Sequence, residues 1–269
     1  MAPNVSADFQ AACTAVPAKR AIYRGSCYVI TPTTHEGNVA QAECTHLGAH
    51  YRPPNGPQLA IIHGVQGQND FLEQMFTTWG LANDHYFWVS GMRTSASIGW
   101  PNAGWDSDWY WQYNGQMQPV TYAEFRDFWY PGGTLSGSTR TCLVYHINTN
   151  YRSDWTGAKN VFCTTSFLRA MCEYRSRNRQ YRITTYNQHG VAGVTLSNTV
   201  ESHILKCTKK CVDTWLCVSF AYNRVTQDCR LQIVDTSVNA TQAISHFQAA
   251  PGYLMYELDD QFQTILNYP

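Results

Sequence analysis

The sequence is poor in charge and contains no apolar run long enough to cross a membrane. Only 14% of its 269 residues are charged, and 19 basic residues balance 19 acidic ones. Phosphate binding requires a basic surface, so this balance argues against nucleic acid as the main partner. No apolar stretch approaches the ~20 residues of a bilayer span. The first ten residues lack the apolar core of a signal peptide, so we expect any secretion signal to have been removed or to lie outside this sequence.

Sequence signatures of catalysis and of cofactor binding are also missing. There is no P-loop, no dinucleotide fingerprint and no G-x-S-x-G elbow, and no C-x-x-C pair supports a zinc ribbon or a thiol redox centre. His46 and His50 are four residues apart on a predicted helix, but no Glu follows His46 and no third ligand is evident. We therefore expect no enzyme activity, no cofactor and no metal site.

Cysteine is the residue that the chain has in abundance. Its ten cysteines are an even number, so all can pair, and five disulfides indicate an oxidising, extracellular compartment. Two glycosylation sequons, which begin at Asn4 and Asn239, are consistent with a secreted glycoprotein.

The spacing of the cysteines predicts two domains. Six are spread over residues 13 to 172, and four are clustered between residues 207 and 229. The Arg-rich stretch EYRSRNRQYR lies between the two groups, and we take residues 175–180 as a linker. Two interpretations of this stretch stay open: a solvated linker or edge strand, and a basic groove for sulfated or acidic glycans.

Apolar periodicity predicts a mixture of helices and strands in both domains. In the first domain, a helix around Val39, Cys44 and Leu47 precedes a second helix that Asn69 or Asp70 caps and Gly80 ends. YFWVSGM and TCLVYHI are predicted strands, and WYWQYNGQMQPVTY is a predicted hairpin. In the second domain, we expect a helix from Asn198 that buries Val200, Ile204, Cys207 and Cys211, followed by the strands LCVSFAYN, DCRLQIV and YLMYEL.

Residues 11–174 resemble a C-type lectin-like domain of the long form. The motifs that carry the resemblance are SCYVI, AECTHLGAH, FWVSGM, WYWQYNGQMQPVTY, TCLVYH and FCTTSFLRAMCEY. The resemblance implies an α+β, disulfide-rich fold with the pairs Cys44–Cys172 and Cys142–Cys163, and Cys13–Cys27 as the additional N-terminal pair.

Residues 181–259 resemble a small α+β PAN/apple domain in a reduced form with four cysteines. The motifs are the helix with Cys207 and Cys211, then WLCVSFAYN and DCRL. The resemblance implies the pairs Cys207–Cys229 and Cys211–Cys217. Residues 260–269 are left as a C-terminal tail.

The long loop of the lectin-like domain lacks the calcium ligands of sugar-binding members of the family. Their W-x-x-G-E-P-N or Q-P-D motif aligns with residues 129–135, where Glu-Pro-Asn has become Gly-Thr-Leu. Their W-N-D motif aligns with Ala158, Lys159 and Asn160. No acid occurs between Asp127 and Asp154, whereas calcium requires six to eight oxygens that include carboxylates. The departure from the motifs predicts calcium-independent function.

Aromatic residues replace the acids as candidates for a contact surface. Trp129 and Tyr130 stand in the long loop, and Trp100 and Trp105 stand among Pro, Gly and Asn, whereas we assign Trp109 and Trp111 to the core. The complete set of candidate binding residues is Trp100, Trp105, Trp129, Tyr130, Leu135, Arg140, Lys159 and Asn160.

These features predict a secreted recognition or adhesion protein that binds a protein or a glycan without calcium. The alternative is a self-assembling subunit of an extracellular matrix, coat or fibre, since a neutral surface repels its copies weakly.

Overall fold

A computed structural model shows the fold of the chain. It describes residues 9, 11, 13–15, 18–47, 58–62, 66–81, 85–93, 109–113, 116–119, 142–147, 157–164, 167–175, 181–183, 189–191, 195–214, 217–232, 247–258 and 264–266. The described residues fall into two compact units. The first comprises Met1–Gly64, Gln68–Ser176 and Gln263–Pro269, and the second comprises Arg177–Phe262 with Val65–Gly67.

A sheet of ten strands organises the first unit. Seven strands follow one another in the order β17-β1-β2-β9-β4-β5-β6, while β3 pairs with β9, and β7 pairs with β4 and β8. The strands of this sheet are β1 Lys19–Tyr23, β2 Ser26–Ile30, β3 Gln58–Leu59, β4 His85–Arg93, β5 Trp109–Tyr113, β6 Gln116–Pro119, β7 Cys142–Ile147, β8 Gly157–Val161, β9 Arg169–Arg175 and β17 Thr264–Leu266. All pairs are antiparallel except that of β4 with β9. The predicted strands YFWVSGM and TCLVYHI are confirmed as β4 and β7, and the predicted hairpin as β5 and β6.

Helix α1, Gly37–Leu47, packs over the sheet through Ala40 and Cys44, which are both fully buried. The first residue of the helix, Gly37, has little space around it. A Cβ atom at this position would lie 3.0 Å from the ring of Trp88 and 3.2 Å from Sγ of Cys142, so glycine fits best. Val39 is 44% exposed, so its predicted place on the apolar face is wrong. Ala40 and Cys44, four residues apart, form the buried stripe instead.

Helix α2, Gln66–Thr78, carries the apolar stripe that the sequence predicts. The stripe is buried and consists of Phe71, Leu72, Met75, Phe76 and Trp79. The helix begins before Asn69 and Asp70, so the cap predicted at those residues is wrong. Its predicted end is confirmed at Gly80, whose φ of +66° suits glycine. Gly80 N–H donates to the Thr77 carbonyl and Leu81 N–H to the Phe76 carbonyl, which is the Schellman arrangement.

A buried carboxylate joins three parts of the first unit. Glu173, on β9, is 0% exposed. Its Oε1 accepts hydrogen bonds from Ser26 Oγ and Arg175 Nε, each at 2.7 Å, and its Oε2 accepts from Ile61 N–H at 3.3 Å. Arg175, which the sequence analysis assigns to the linker, is therefore the last residue of β9 and the ion-pair partner of Glu173. A charge is tolerated in this core because several donors surround it.

All ten cysteines are paired, and the pairs are those that the two resemblances imply. They are Cys13–Cys27, Cys44–Cys172, Cys142–Cys163, Cys207–Cys229 and Cys211–Cys217. No bridge joins the first six cysteines to the last four.

Within the described residues, the second unit has a five-stranded antiparallel sheet with a helix packed on it. The strand order is β10-β16-β13-β14-β12, and a separate pair is formed by β11 and β15. The elements are β10 Tyr181–Ile183, β11 His189–Val191, β12 Thr195–Val200, α3 Ile204–Asp213, β13 Ser219–Asn223, β14 Asp228–Gln232, β15 Phe247–Ala249 and β16 Tyr253–Leu258. Both helical cysteines, Cys207 and Cys211, are fully buried as predicted, against Phe220 and Leu231.

Two boundaries in the C-terminal half differ from the sequence-based ones. Helix α3 begins at Ile204 rather than at Asn198, because the preceding residues form β12 and pair with β14, which leaves Val200 74% exposed. Within residues 260–269, given as a tail, Thr264–Leu266 form β17 and pair with β1 of the first unit. Neither strand has a long apolar pattern of its own, so both depend on their partner strands.

We predict that Glu173→Ala lowers the free energy of unfolding by about 3–5 kcal/mol, because Arg175 loses the carboxylate partner of a buried ion pair. Urea unfolding measures the change. The double variant Glu173→Leu/Arg175→Met should recover much of the loss, because no charge is left to bury. Glu43→Ala is the control at a half-exposed acid. A loss for Glu173→Ala no larger than that of the control would contradict the prediction.

Candidate functional site

The base of the long loop is the described part of the predicted binding region. The loop itself, residues 120–141, lies outside the described residues, as do Trp100 and Trp105. The roles of Trp129, Tyr130, Leu135 and Arg140 therefore stay sequence-based predictions, as do Asn4 and Asn239, which also lie outside. Strand β7 follows the loop directly, and β8 pairs with β7 in antiparallel register, with Lys159 opposite Val144.

Three side chains from neighbouring strands form a stack along β7, towards the end of that strand that lies away from the loop. The Nζ of Lys159, on β8, lies 5.4 Å from the centroid of the Tyr86 ring, on β4. The Tyr86 ring in turn stacks on the buried His146, on β7, with 4.3 Å between centroids and 9° between planes. We call this arrangement the Lys159–Tyr86–His146 stack. A cation over an aromatic face is attracted by the ring quadrupole, so the stack links β8, β4 and β7 through their side chains.

The donors on β8 do not fit a calcium ion. At the three positions that align with the family's second calcium motif, Ala158 offers no side-chain oxygen and Lys159 contributes a positive charge that lies over an aromatic ring. Asn160 pairs with Leu143 and offers at most a neutral amide oxygen. Calcium requires carboxylates to offset its charge, and this strand supplies none.

An exposed apolar surface lies beside the loop base. Among the described residues of the first unit, the exposed large apolar side chains are Val39 at 44%, Phe162 at 38% and Phe167 at 65%. Gly37 N–H donates to the Cys163 carbonyl at 2.7 Å, and His35 and Leu168 exchange two backbone hydrogen bonds. These bonds hold the start of α1 against Cys163 and Leu168, which are next to Phe162 and Phe167 in the sequence, so we name Val39, Phe162 and Phe167 together the Val39–Phe167 surface.

Sequence reasoning missed this surface because all three residues belong to apparent core patterns. Val39 lies in the apolar periodicity of α1, and Phe162 and Phe167 lie in a motif of the family resemblance. The usable signal was FCTTSF, in which two rings flank a cysteine and hydroxyl residues rather than alternate along a strand.

Acidic side chains lie next to the Val39–Phe167 surface. Glu36 and Glu43 stand three residues before and four residues after Val39, so they share its side of the helix. Glu43 Oε1 lies 3.9 Å from Nδ1 of His35, and Nε2 of His35 is 2.9 Å from Oγ1 of Thr33. These two acids place negative charge on the side of α1 that carries Val39.

The outer side of α3 in the second unit carries the opposite charge. Leu205 is 70% exposed, and its neighbours on the helix include Lys206 and Lys209. Lys210 forms an ion pair with Glu201, and the hydrogen bond from Lys210 lowers the pKa of the Glu201 carboxyl. Lys209 pairs with Asp213 one turn further along.

The remaining residues singled out in the sequence are Trp109, Trp111, His46 and His50. Trp111 is fully buried, as predicted, whereas the side chain of Trp109 is not among those described. His46 lies on α1 and His50 lies outside the described residues; where the structure describes the chain, no three His, Cys, Asp or Glu side chains are grouped to hold a metal. No helix in the described ranges is long and apolar enough to cross a membrane.

The described residues of the first unit form the mixed helix-and-sheet, disulfide-rich fold predicted for a C-type lectin-like domain. Similar solved structures include SPL-2, a Ca²⁺-independent C-type lectin from Saxidomus purpuratus, which is 19% identical and covers 59% of this chain and 92% of its own, with a TM-score of 0.40. Another is a calcium-independent type II antifreeze protein, at 18% identity, 59% and 93% coverage and a TM-score of 0.36. Human lithostathine is 16% identical and covers 62% of this chain and 94% of its own, with a TM-score of 0.41. No protein-family model and no curated protein matches the chain.

We predict that Lys159→Ala lowers the free energy of unfolding by about 0.5–2 kcal/mol, because the stack loses its cation. Lys159→Arg should keep most of the stability, since a guanidinium also packs over an aromatic face. Thermal unfolding of the full chain checks both variants. Equal losses for the alanine and arginine variants would show that the charge over Tyr86 contributes nothing.

Proposed function

We propose that this chain is an extracellular recognition protein whose lectin-like unit binds a protein or glycan partner without calcium. The observation that carries the proposal is the Lys159–Tyr86–His146 stack. It places an ammonium group on the strand where calcium-dependent relatives would supply metal ligands, and it ties that strand to its neighbours without a metal.

The long loop itself supports the same conclusion through its composition. It contains no acid between Asp127 and Asp154, but it keeps Trp129, Tyr130, Leu135 and a Gly-rich turn. Amphipathic rings provide a large contact area for little loss of side-chain entropy, which suits binding to sugar rings and to protein surfaces. We assign the contact surface to this loop, with Arg140 near its end.

The second unit is proposed to be a PAN/apple domain that adds a second contact. Helix α3 is tied by Cys207–Cys229 to β14 of a five-stranded antiparallel sheet, and Cys211–Cys217 joins the helix to the residues before β13. Two binding modules on one chain can act together when their geometry allows both to bind at once.

The disulfides are the basis for proposing that the protein is secreted. Five bridges would not persist in a reducing cytosol, and the sequons at Asn4 and Asn239 suit passage through a secretory route.

A second candidate function is that of a self-assembling structural subunit of a matrix, coat or fibre. Two observations favour it: the charge balance of 19 basic and 19 acidic residues, and the exposed apolar Val39–Phe167 surface. Neutral proteins with exposed apolar groups associate readily because no net repulsion separates their copies.

We predict that calcium leaves the melting temperature unchanged. A site filled at a hundred times its dissociation constant would add about 2.7 kcal/mol, which corresponds to roughly 2–4 °C in a domain of this size. Differential scanning fluorimetry in EDTA and in millimolar calcium makes the comparison, with magnesium as the ionic control. A reproducible rise in calcium alone would require ligands outside the two motifs.

We predict that Trp129→Ala/Tyr130→Ala abolishes partner binding and leaves the melting temperature unchanged, because the proposal assigns both rings to the contact with the partner. Binding is measured to an array of immobilised neutral and sulfated glycans, and association with other copies by light scattering. Trp111→Ala, at a fully buried ring, is the structural control and should lower stability by about 3–5 kcal/mol. A large fall in melting temperature for the loop variant, with binding intact, would assign its rings to the core.

A further inference from the structure

We infer that the chain associates head to tail with copies of itself through two small helical surfaces of opposite charge. The first is the Val39–Phe167 surface with Glu43 beside it. The second is the outer side of α3, formed by Leu205 and Lys209. This contact deepens the second candidate function, on which it rests, and it uses residues on neither the long loop nor the Lys159–Tyr86–His146 stack.

Both surfaces carry exposed apolar side chains. Leu205 is a single, 70% exposed side chain on the outside of a helix. Val39, Phe162 and Phe167 provide apolar area on both sides of the junction that the Gly37–Cys163 hydrogen bond holds together. Exposed apolar groups held on such ordered backbone mark contact sites, because their burial requires little further ordering.

The charges match in spacing as well as in sign. On α1, Val39 is followed four residues later by Glu43, and on α3, Leu205 is followed four residues later by Lys209. Residues four apart lie one above the other on a helix, so each pair forms a short stripe with the apolar residue first. Two helices laid side by side in parallel therefore bring Leu205 to Val39 and Lys209 to Glu43.

The existing ion pairs do not oppose this contact. Lys209 pairs with Asp213, but the two side chains are 74% and 59% exposed, and pairs of this kind contribute little to stability. Glu36 lies on the same side of α1 as Glu43, and Lys206 lies next to Leu205, so the wider fields also differ in sign. Complementary fields fix the orientation and the partner of a contact more than they raise its affinity.

Because the two surfaces are different patches, the contact is heterologous. Each copy offers one surface of each kind, so association continues into a ring or an open chain rather than stopping at a symmetric dimer.

The test is sedimentation velocity of the full chain from low micromolar to millimolar concentration. We expect a sedimentation coefficient that rises with concentration, and Phe167→Ser and Leu205→Ser should each weaken association about tenfold or more. Val225→Ser is the matched control, since Val225 is 90% exposed but belongs to neither surface. A chain that stays monomeric throughout, or a Val225→Ser variant as impaired as the other two, overturns the inference.

A charge-reversal pair tests the register. Glu43→Lys and Lys209→Glu should each weaken association, and an equimolar mixture of the two variants should restore it, because the reversed α1 of one then meets the reversed α3 of the other. A mixture that remains dissociated overturns the pairing.

Partner binding by the long loop is measured separately, at dilutions where the chain is monomeric. Loss of self-association therefore leaves the proposed function intact. If Phe167→Ser instead abolishes glycan binding while association persists, the surface is a glycan contact and the inference fails.

Discussion

Strand β9 is the element on which the rest of the lectin-like unit depends. It pairs with β2, β3 and β4, and all of its residues after Arg169 are buried. Cys172 ties it to α1 across a sequence separation of 128 residues, which restricts the unfolded chain by about 4–5 kcal/mol in the chain-entropy model. The next residue, Glu173, binds donors from β2 and from the segment before α2. One strand therefore holds α1, residues 58–62 and the strands β2, β3 and β4 in place.

Two features of β7 and β8 hold this part of the unit together without a metal. Cys142–Cys163 closes a loop of 21 residues between β7 and the end of β8, worth about 3 kcal/mol by the same chain-entropy argument. The resemblance implies this disulfide with or without calcium, so only the Lys159–Tyr86–His146 stack acts as a replacement. It adds about 0.5–2 kcal/mol, which offsets part of the ~2.7 kcal/mol that a well-filled ion site would add.

The sequence predicted the elements whose signals are local and missed those that depend on partners. The apolar stripe of α2 and the glycine at its end are local, and both were located correctly. Strands β12 and β17 have no such pattern, and they form only because β14 and β1 accept them. The site follows the same division. The absence of acids in the long loop can be read from the sequence alone. The position of Lys159 over Tyr86 and the exposure of Phe167 cannot, because they depend on the pairing of strands that are far apart in sequence.

The chain is neutral overall, but acidic residues lie at α1 and basic residues lie on α3. The acids of α1 and the lysines of α3 belong to different units. A single apolar side chain and one exposed ion pair contribute too little to hold two copies together at low concentration. The same contact repeated along a row of copies gains from every neighbour, and a ligand bound by several long loops at once would hold the row together. The proposed recognition and the proposed assembly are therefore compatible, because weak contacts between copies become effective only where a surface already concentrates them.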